Sequence, residues 1–477
     1  MTKTGWPTVY DNNYLPRANQ KYWFPKIETM PRKERAKIIL KKLKAQITYA
    51  YHRSSFYRAK WKAAGFHPSD FHGLDDLRRV PFVTKADIQD DQAAHPPFGS
   101  YLCIPKGRVY AYFGTSGTTG KPTAFGISSG DWDRISNMHA RVMWSFGVRP
   151  TDTVMISAVF SLYVGGWGAL AGTQRLGSAV FPFGAGAPGQ TRLAVRWIQE
   201  LKPSVFYSTP SYALHLAEIA RDEGANPAKD FCFRIMFFSG EPGAGVPAIK
   251  RKIEETFNCA CVDTGSTAEM TPWMTNAECE HRSGMHLWED VVYPEVVDQK
   301  TGETVDFGEK GVIAYTHLER ESQPMIRFLS GDLTQWSDEP CECGRTYLRL
   351  PKGIYGRIDD MLIIRGENVY PSAIQAALES TEGYGGEHRI IITKEKEMDV
   401  LTVHAEYDSN IVRRVAKTLE VLNRLRVMME DNVKKICGVR ATIKLHPPFT
   451  FERSQFKARR ITDQRSLYAQ LANLRKE

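Results

Sequence analysis

A stretch of glycines and hydroxyl side chains is the part of this sequence whose residue types best suit chemistry. It reads Gly114, Thr115, Ser116, Gly117, Thr118, Thr119, Gly120, Lys121, Pro122 and Thr123. Glycines let backbone N–H groups approach an anion closely, hydroxyl groups donate hydrogen bonds to its oxygen atoms, and a lysine adds a positive charge. The pattern predicts a loop that wraps a polyphosphate, and a plain Gly/Ser/Thr surface loop is the alternative.

The P-loop of nucleoside triphosphatases has a similar composition but a different spacing. Its G-x-x-x-x-G-K-S/T pattern ends on a hydroxyl that binds magnesium. In this chain five residues separate Gly114 from Gly120, and Pro122 stands where that hydroxyl belongs. The sequence therefore excludes a standard P-loop.

Length and composition limit the class of protein. The chain has 477 residues, 42% of them hydrophobic, so it can bury a large core and should form at least two domains. No run approaches the roughly 20 apolar residues that span a bilayer. Residues 1–26 lack the apolar core of a signal peptide, and eight cysteines are too sparse for a disulfide scaffold in a chain of this length. We expect a cytoplasmic protein with reduced thiols.

The formal net charge of +9 raises the question of a nucleic-acid partner. The basic residues are dispersed, with the densest groups at 32–44 and 453–465, and no nucleic-acid-binding pattern is present. The first group predicts an amphipathic helix with a solvated basic face, because apolar residues recur at helical spacing at Ile39, Leu43, Ile47 and Ala50. Positive charge also suits anionic small molecules. We expect neither nucleic acid nor membrane as a partner.

Short apolar runs alternate with helical patterns between Asp152 and Asp263. The predicted strands are Thr153–Phe160, Ala179–Phe183, Ser204–Tyr207, Arg234–Phe238 and Ala260–Val262. The predicted helices are Thr191–Leu201, Tyr212–Glu223 and Ala248–Phe257. This alternation is typical of an α/β fold in which a mixed, largely parallel sheet is covered by helices.

Polar loops follow three of these strands, at Ser208–Pro210, Ser239–Pro242 and Thr264–Ser266. Ligands of open α/β sheets bind beyond the carboxyl ends of the strands. We therefore predict that the three loops meet at one site.

The pattern changes after Gly284. Short strands with turns at 300–302 and 308–311 continue to Leu350 and predict a more antiparallel subdomain. Beyond Gly356 the predicted elements are a strand near Met361–Arg365, a helix over Pro371–Glu379, a strand pair within Arg389–Tyr407, a helical region over Ile411–Ile436 and a last strand, Ala441–Leu445. About 120 residues is a sensible size for a small α+β domain.

Four further segments complete a recognisable set. They are DTGSTAE at 263–269, IRFLSGDL at 326–333, GRIDDMLIIRG at 356–366 and FKARR at 456–460. With the Gly/Ser/Thr loop, they resemble the adenylate-forming superfamily of acyl-CoA synthetases, adenylation domains and luciferases. Two other segments, HLWED at 286–290 and RGENVYPS at 365–372, are similar to the phenylacetate-CoA ligase branch. The resemblance covers nearly the whole chain.

The resemblance implies a two-step reaction. A carboxylate attacks the α-phosphate of ATP to give an acyl-adenylate and pyrophosphate, and the thiol of coenzyme A then displaces AMP. The first step brings anions together, so it needs cations and N–H donors rather than a protein nucleophile. ATP, Mg²⁺ and coenzyme A are the cofactors and co-substrates that follow.

Family position implies roles for single residues. Lys457 would bridge the attacking carboxylate and the α-phosphate, Glu269 would hold magnesium, and Thr118 would bind the phosphates. The hinge would be Asp359, between a large domain at 1–358 and a small mobile α+β domain at 359–477. The nucleotide- and coenzyme-binding residues implied are Thr115, Ser116, Gly117, Thr118, Thr119, Gly120, Lys121, Ser239, Gly240, Glu241, Pro242, Asp263, Thr264, Gly265, Ser266, Thr267, Glu269, Asp332, Arg357, Arg365, Gly366 and Lys457.

Two departures from the family pattern bear on these roles. The family's Tyr-Gly-x-Ser/Thr-Glu becomes GSTAE at 265–269, without the tyrosine that stacks on adenine. Phe456 stands where a glycine usually precedes the lysine. We expect the adenine contact to be rearranged or weaker.

The predicted acid pocket is rich in aromatic residues and has no obvious cation. Its residues are Phe160, Tyr163, Gly165, Phe238 and Ser239. They favour phenylacetate or a related aryl or arylalkyl acid. One alternative is an adenylating enzyme that passes the acyl group to a carrier-protein thiol or an amine, and another is a catalytically degenerate binding or regulatory homologue. Family habit suggests a homodimer.

A structural zinc site is a further prediction. Cys341 and Cys343 offer a close thiolate pair, and Cys279 with one histidine would complete a tetrahedral Cys₃His set. The resemblance favours His286 over His281, because some members of the branch carry a structural metal on the histidine of the HLWED segment. Unligated thiols beside a surface histidine are the alternative.

Overall fold

The computed structural model contains two compact units, residues 1–245 with 253–354 and residues 246–252 with 355–477. It describes residues 5–115, 122–185, 189–241, 243–265, 267–271, 273–358, 360–365, 367–395, 398–408, 411, 418–452 and 460–465. Among these residues, no helix is both long and apolar enough to cross a membrane.

The helices lie throughout both units. They are α1 Pro25–Glu28, α2 Arg32–Arg53, α3 Ser55–Ala63, α4 Lys85–Ala94, α5 Ser129–Ser145, α6 Val164–Leu176, α7 Gln190–Leu201, α8 Pro210–Asp222, α9 Pro227–Asp230, α10 Pro247–Phe257, α11 Pro371–Glu379 and α12 Thr418–Cys437.

The strands are mostly short. They are β1 Ala111–Gly114, β2 Ala124–Ile127, β3 Thr153–Ile156, β4 Ala179–Phe181, β5 Val205–Ser208, β6 Ile235–Phe238, β7 Ala260–Gly265, β8 Asn276–Ala277, β9 Met285–Leu287, β10 Val292–Val297, β11 Lys310–His317, β12 Phe328–Gln335, β13 Arg349–Leu350, β14 Ile354–Arg357, β15 Leu362–Ile364, β16 Glu367–Val369, β17 Tyr384–Glu395, β18 Met398–Tyr407, β19 Thr442–His446 and β20 Ile461–Asp463.

The first unit is built around an eight-stranded sheet of order β13-β9-β8-β7-β6-β5-β3-β4. From β4 to β7 neighbouring strands are parallel, and from β7 to β13 they are antiparallel. Strands β10, β11 and β12 form a separate antiparallel sheet. The predicted α/β fold is confirmed, and so is the more antiparallel pairing after Gly284. The strands there are not uniformly short, because β11 and β12 have eight residues each.

The predicted elements between Asp152 and Asp263 are all present, with shifts at their ends. The largest shift is in β3, which ends at Ile156 rather than at Phe160. Helix α8 begins earlier than predicted because Pro210 suits the first helical turn and the Thr209 hydroxyl accepts a hydrogen bond from the Tyr212 N–H (3.3 Å). The N-terminal cap thus determines where α8 begins, which the spacing of its apolar residues did not reveal.

The second unit contains a four-stranded sheet of order β19-β18-β17-β20. Helices α11 and α12 bring Ile374, Met429 and Val433 to the core that covers it. The prediction that Ala441–Leu445 would be the last strand is wrong, because β20 follows and pairs in parallel with β17. Three residues give too short a pattern to reveal a strand whose partner lies about 70 residues earlier.

Helix α2 is the predicted amphipathic helix, but not all of its basic residues are solvated. Ile39, Leu43, Ile47 and Ala50 are buried. The lysines at 33, 37, 41 and 44 are exposed, yet Arg35 is buried, and its NH1 lies 3.2 Å from Glu289 Oε2. A single buried arginine in a basic run cannot be recognised without knowing its distant partner.

Further buried ion pairs attach α5 to its neighbours. The Arg141 guanidinium contacts Glu28 (3.2 Å) and Asp290 (2.7 Å), and Arg345 contacts the second oxygen of Glu28 (2.9 Å). All four residues are almost completely buried. Buried charges are tolerated only when paired, so this network fixes how the N-terminal segment, α5 and the HLWED segment pack together.

Asp131, at the start of α5, fixes the chain that leads into β12. Its carboxylate accepts hydrogen bonds from the Glu321 N–H (2.9 Å) and the Ser322 N–H (2.8 Å) and pairs with Arg134 (3.0 Å). Burial alone would raise the pKa of Asp131, but the charges of Arg320 and Arg134 and the hydrogen bonds lower it to about 2. This pKa is below that of an unfolded aspartate. The ionised carboxylate therefore stabilises the fold above about pH 4 and loses that effect as the pH falls toward 2.

Replacing Asp131 with asparagine should lower the free energy of unfolding by about 3 kcal/mol at neutral pH, because Arg134 and Arg320 lose their buried counter-charge. Urea denaturation at several pH values measures this. The difference from wild type should be constant from about pH 5 to pH 7 and shrink below about pH 4. Asp133→Asn, at an exposed position on the same helix, is the control and should change stability by less than about 0.5 kcal/mol. Equal losses in the two variants would contradict the assignment.

Candidate active site

Parallel pairing brings the carboxyl ends of β5, β6 and β7 to one edge of the large sheet. In register, Ser208 lies opposite Phe238, and Phe238 lies opposite Asp263. The loops that follow are bonded to the neighbouring strands, since Ser239 N–H donates to the Ser208 carbonyl (3.3 Å) and the Thr264 hydroxyl donates to the Phe238 carbonyl (2.8 Å). The three polar loops predicted from the sequence therefore meet at this edge.

Three hydroxyl groups cluster at the same edge. Tyr207 OH and Ser239 Oγ are 2.7 Å apart, and the Tyr163 side chain hydrogen-bonds with both residues. Burial raises the pKa of Tyr163 and of Tyr207 above the ordinary phenol value, so both stay protonated at neutral pH. Tyr163 also lies across Gly165, where an added Cβ would come within 2.3 Å of the tyrosine ring. We call Tyr163, Tyr207 and Ser239 the hydroxyl cluster.

Strands β1 and β2 form the hairpin from which the Gly/Ser/Thr loop extends. Thr115 N–H donates to the Thr123 carbonyl (3.0 Å), and Thr123 N–H donates to the Thr115 hydroxyl (3.0 Å). Gly114 N–H donates to the Leu162 carbonyl (2.8 Å). Both ends of the predicted phosphate loop are thus held beside the segment that contains Tyr163.

Two buried glutamines brace this hairpin. The Gln92 amide donates to the Ala124 carbonyl (2.7 Å) and accepts from the Ala124 N–H (3.0 Å). The Gln323 amide accepts from the Gly126 N–H (2.6 Å) and donates to the Phe98 carbonyl (2.8 Å). Sequence reasoning missed both residues, because a lone glutamine carries no pattern until its partner is known.

The segment after β7 holds the predicted magnesium ligand. Glu269 lies in a 3₁₀ turn, Ala268–Met270; it is only 8% exposed, and its carboxylate has no hydrogen-bond or ion-pair partner among the described residues. The Thr267 hydroxyl is likewise buried without a hydrogen-bond partner in the described part of the chain. A largely buried carboxylate with no cation beside it in the described ranges has the hard oxygen donors that Mg²⁺ prefers, so Glu269 fits the predicted ligand. Burial lowers the pKa of His317, so its ring is neutral, and its Nε2 lies 3.1 Å from the Thr271 carbonyl at the end of this turn.

A β-bulge sets the position of Asp332. Leu333 lies opposite Val312 and Leu329 lies opposite Ala314, so three residues of β12 face Ile313 alone. The central residue, Gly331, has a φ of 81°, which favours glycine. Asp332 N–H donates to the Ser330 hydroxyl (3.0 Å), and the residue is largely buried. Because the bulge adds two residues, the inside–outside alternation of β12 is kept, and Asp332 lies on the buried face with Ser330 and Thr334.

Other predicted residues have evident structural partners. Glu241 accepts a hydrogen bond from the Ser211 N–H (2.8 Å) at the N-terminus of α8, where a carboxylate is favoured. Asp263 N–H donates to Glu278 (2.9 Å). Gly240 has a φ of 92°. Phe238 is fully buried and belongs to the core, and Phe160 is partly exposed and packs against Trp167 (ring centroids 5.1 Å apart).

In the second unit, Arg357 lies on β14, and Arg365 follows β15 with a φ of 54°. Arg365 Nε donates to the Asp399 carbonyl (2.8 Å). The remaining predicted site residues lie outside the described residues, so their roles stay predictions. They are Ser116, Gly117, Thr118, Thr119, Gly120, Lys121, Pro242, Ser266, Asp359, Gly366 and Lys457.

The four predicted metal ligands form one buried group. Cys279, His286, Cys341 and Cys343 place one sulfur or ring nitrogen each within 4.8 Å of all the others. Cys279 Sγ lies 3.8 Å from Cys341 Sγ, and Cys343 Sγ lies 3.3 Å from His286 Nε2. The pKa of the Cys343 thiol is lowered because Cys279 hydrogen-bonds to it and His286 lies beside it. His281 stands apart, partly exposed beside Glu342.

Comparison with known proteins identifies the family. Residues 41–317 match the AMP-binding enzyme family, and residues 366–465 match the AMP-binding enzyme C-terminal domain. The chain is 35% identical over 452 residues to phenylacetate-coenzyme A ligase of Thermus thermophilus, which covers 92% of this chain and 99% of that protein. The chain belongs to the adenylate-forming enzymes, in the phenylacetate-CoA ligase-like branch.

Solved structures of 2-hydroxyisobutyryl-CoA ligase are also similar to this adenylate-forming enzyme. One, in the postadenylation state with an acyl-AMP, is 50% identical with a TM-score of 0.93 and covers 98% of each chain. Another, in the thioesterification state with 2-HIB-AMP and CoA, is 50% identical with a TM-score of 0.75 and covers 100% of this chain and 99% of that one. The predicted superfamily and branch are confirmed. The chain is an acid–thiol ligase, an ATP-dependent acid–CoA ligase that works through an acyl-adenylate.

In this ligase we expect the hydrogen bonds between Gln92 and Ala124 to affect the KM for ATP. Gln92→Ala should raise the KM for ATP about five- to tenfold, because two hydrogen bonds that hold the hairpin beside the phosphate loop are lost. Steady-state kinetics with varied ATP measures this. Gln335→Ala removes a glutamine that contacts a turn carbonyl at Gly308 and serves as the control. An unchanged KM for ATP in Gln92→Ala would contradict the proposed brace.

Proposed function

We propose that the acid activated by this CoA ligase is a small, branched 2-hydroxy acid. The observation that carries this proposal is the hydroxyl cluster of Tyr163, Tyr207 and Ser239, which lies in the segments expected to form the acid pocket. Buried hydroxyl groups lose free energy unless they are hydrogen-bonded. A substrate with its own hydroxyl could join this cluster, whereas an apolar ring could not.

The aromatic residues near the pocket support this choice over an aryl acid. Phe237 is fully buried and stacks on Tyr207 (ring centroids 4.8 Å apart) and packs against Phe146 (5.2 Å). Phe238 is equally buried. Both rings therefore serve the core. Since Phe238 was one of the residues that favoured an aryl or arylalkyl acid, that acid becomes the alternative. Identity to the 2-hydroxyisobutyryl-CoA ligase structures, 50%, also exceeds the 35% identity to the Thermus phenylacetate-coenzyme A ligase.

The residue roles implied by the family belong to the same proposal. Glu269, which is buried and has no cation beside it in the described part of the chain, would hold Mg²⁺, and Asp332, on the buried face of β12, would accept hydrogen bonds from the ribose. Residues 116–121 would bind the β- and γ-phosphates. Lys457 would act in adenylation alone. Stabilisation of negative charge by these groups is what the first half-reaction needs.

The acid can be tested by AMP formation in the presence of ATP, Mg²⁺ and coenzyme A. We expect kcat/KM for 2-hydroxyisobutyrate to exceed that for isobutyrate and for phenylacetate by at least about tenfold, because a site built around hydroxyl groups discriminates against analogues that lack one. Tyr207→Phe should lower kcat/KM for the hydroxy acid by about tenfold and leave isobutyrate nearly unchanged.

Tyr14→Phe is the matched control, because the Tyr14 hydroxyl donates to the Trp23 carbonyl (2.8 Å) rather than to the hydroxyl cluster. Preference for phenylacetate would replace the hydroxy-acid proposal with the aryl-acid alternative. Equal effects of Tyr207→Phe on both small acids would remove the hydroxyl cluster from substrate recognition.

We also propose that Cys279, His286, Cys341 and Cys343 hold a structural Zn²⁺. Zinc–sulfur bonds of about 2.3 Å in a tetrahedron require sulfur–sulfur edges of roughly 3.8 Å, and the Cys279–Cys341 separation is 3.8 Å. Three thiols and one imidazole are a donor set that zinc prefers. The ion would supply folding free energy to the short-strand region and take no part in the reaction.

Elemental analysis of the purified protein should find about one zinc per chain, as expected for a four-ligand structural site. Cys343→Ser should reduce the zinc content and lower the thermal unfolding midpoint, since a ligand is lost. Cys103→Ser changes a buried cysteine outside the group and should leave the zinc content intact. A zinc-free protein whose thermal midpoint does not change on addition of zinc would rule out the site.

A further inference from the structure

The residues on both sides of the segment 453–459 are held by one sheet of the second unit. That segment includes Lys457 and lies outside the described residues. Before it come residues 447–452, which follow β19, and after it come Arg460 and strand β20. Each flank is bound by a buried glutamate on a neighbouring strand.

Glu406 on β18 holds the preceding flank. Its two carboxylate oxygens accept hydrogen bonds from the Phe449 N–H (3.1 Å) and the Phe451 N–H (2.8 Å). Glu406 has no exposed surface, and Phe449 has a φ of 62°. The turn at 449–451 pairs with no strand in the described part of the chain, so the two hydrogen bonds from its backbone to a buried carboxylate fix its conformation.

Glu387 on β17 holds the following flank. Its carboxylate accepts a forked pair of hydrogen bonds from Arg460, at 2.9 Å from Nε and 3.2 Å from the second terminal nitrogen. The Ile390 N–H also donates to the Arg460 carbonyl (2.6 Å), which begins the parallel pairing of β20 with β17. Glu387 is 4% exposed, and although burial opposes this, the Arg460 contact lowers the pKa of its carboxyl.

Arg389 connects the two flanks. One terminal nitrogen donates to the Glu452 carbonyl (3.0 Å), and the other contacts the Glu387 carboxylate and the His388 carbonyl. Its guanidinium also lies over the Phe451 ring, 5.2 Å from the centroid. The register of β17 shifts between Tyr384 and His388, and that irregularity lies where Glu387 leaves the regular ladder.

We propose that Glu387 and Glu406 are positioning residues for the adenylation half-reaction. They hold the two described flanks, 447–452 and 460–463, between which Lys457 lies in sequence. The inference rests on the proposed role of Lys457. Without either glutamate we expect the second unit to keep its sheet and core, while the flank that this glutamate binds loses its fixed position.

The test separates the two half-reactions. Acid-dependent pyrophosphate release reports adenylation, and conversion of supplied acyl-adenylate to thioester with coenzyme A reports the second step. Glu387→Gln and Glu406→Gln should each slow adenylation by at least about tenfold and change thioester formation by less than about twofold, as expected when positioning is lost for one step only. Glu387→Asp, which keeps the charge, should recover part of the adenylation rate.

Glu430→Gln is the matched control. Glu430 is a carboxylate of the same unit that pairs with Arg426 (2.8 Å) and accepts from the Ile443 N–H (3.2 Å), away from both flanks. It should leave both half-reactions unchanged. Should Glu387→Gln fail to fold, Arg389→Lys tests the same connection, because a lysine keeps the charge but cannot reproduce the fork to Glu452 and Glu387.

Lys457→Ala is measured in parallel and distinguishes the two claims. If Lys457→Ala leaves adenylation intact, the proposed role of the lysine is wrong and this inference falls with it. If Lys457→Ala loses adenylation while both glutamate variants keep it, the positioning inference alone is overturned. Equal slowing of both half-reactions with a lower thermal midpoint would assign the glutamates a general structural role and would also overturn it.

Discussion

Parallel pairing of β5, β6 and β7 is the constraint on which the site of the first unit depends, because strands that run in one direction must end at one edge of the sheet. That edge brings together loops that are far apart in sequence. The polar groups at the ends of these loops then bond to one another rather than to a ladder, as the Tyr207–Ser239 contact does (2.7 Å). A polar site in an apolar sheet follows directly from strand direction.

Buried charged side chains have different surroundings in the core and at the site. In the core, buried arginines are matched by carboxylates, as Arg141 is by Glu28 and Asp290. At the site, Glu269 is buried without a cation among the described residues. Adenylation brings a carboxylate to a polyphosphate, so the enzyme must supply positive charge where the two anions meet. Among the described residues, Glu269 thus differs from Glu28 and Asp290, whose carboxylates have arginine partners.

Much of this could be predicted from the sequence, for reasons that differ between elements. The helix Pro371–Glu379 was predicted to the residue because proline and an apolar stripe mark it locally. The converging loops followed from strand order. Ligand chemistry predicted the three cysteines with one of two histidines, and the family resemblance selected His286. In contrast, the burial of Arg35, the Gln92 brace and strand β20 depend on partners far away in sequence, and no local pattern encodes such pairings. The same holds for Glu387, whose importance appears only once Arg460 lies beside it.

The central claim is that this chain forms an acyl-adenylate from a carboxylic acid and ATP before any thiol takes part. Exchange of radiolabelled pyrophosphate into ATP, measured with Mg²⁺ and an acid but without coenzyme A, tests it most directly. We expect exchange that requires the acid and that is fastest with a 2-hydroxy acid. Exchange that is absent without coenzyme A, although coenzyme A permits AMP formation, would contradict a free adenylation step.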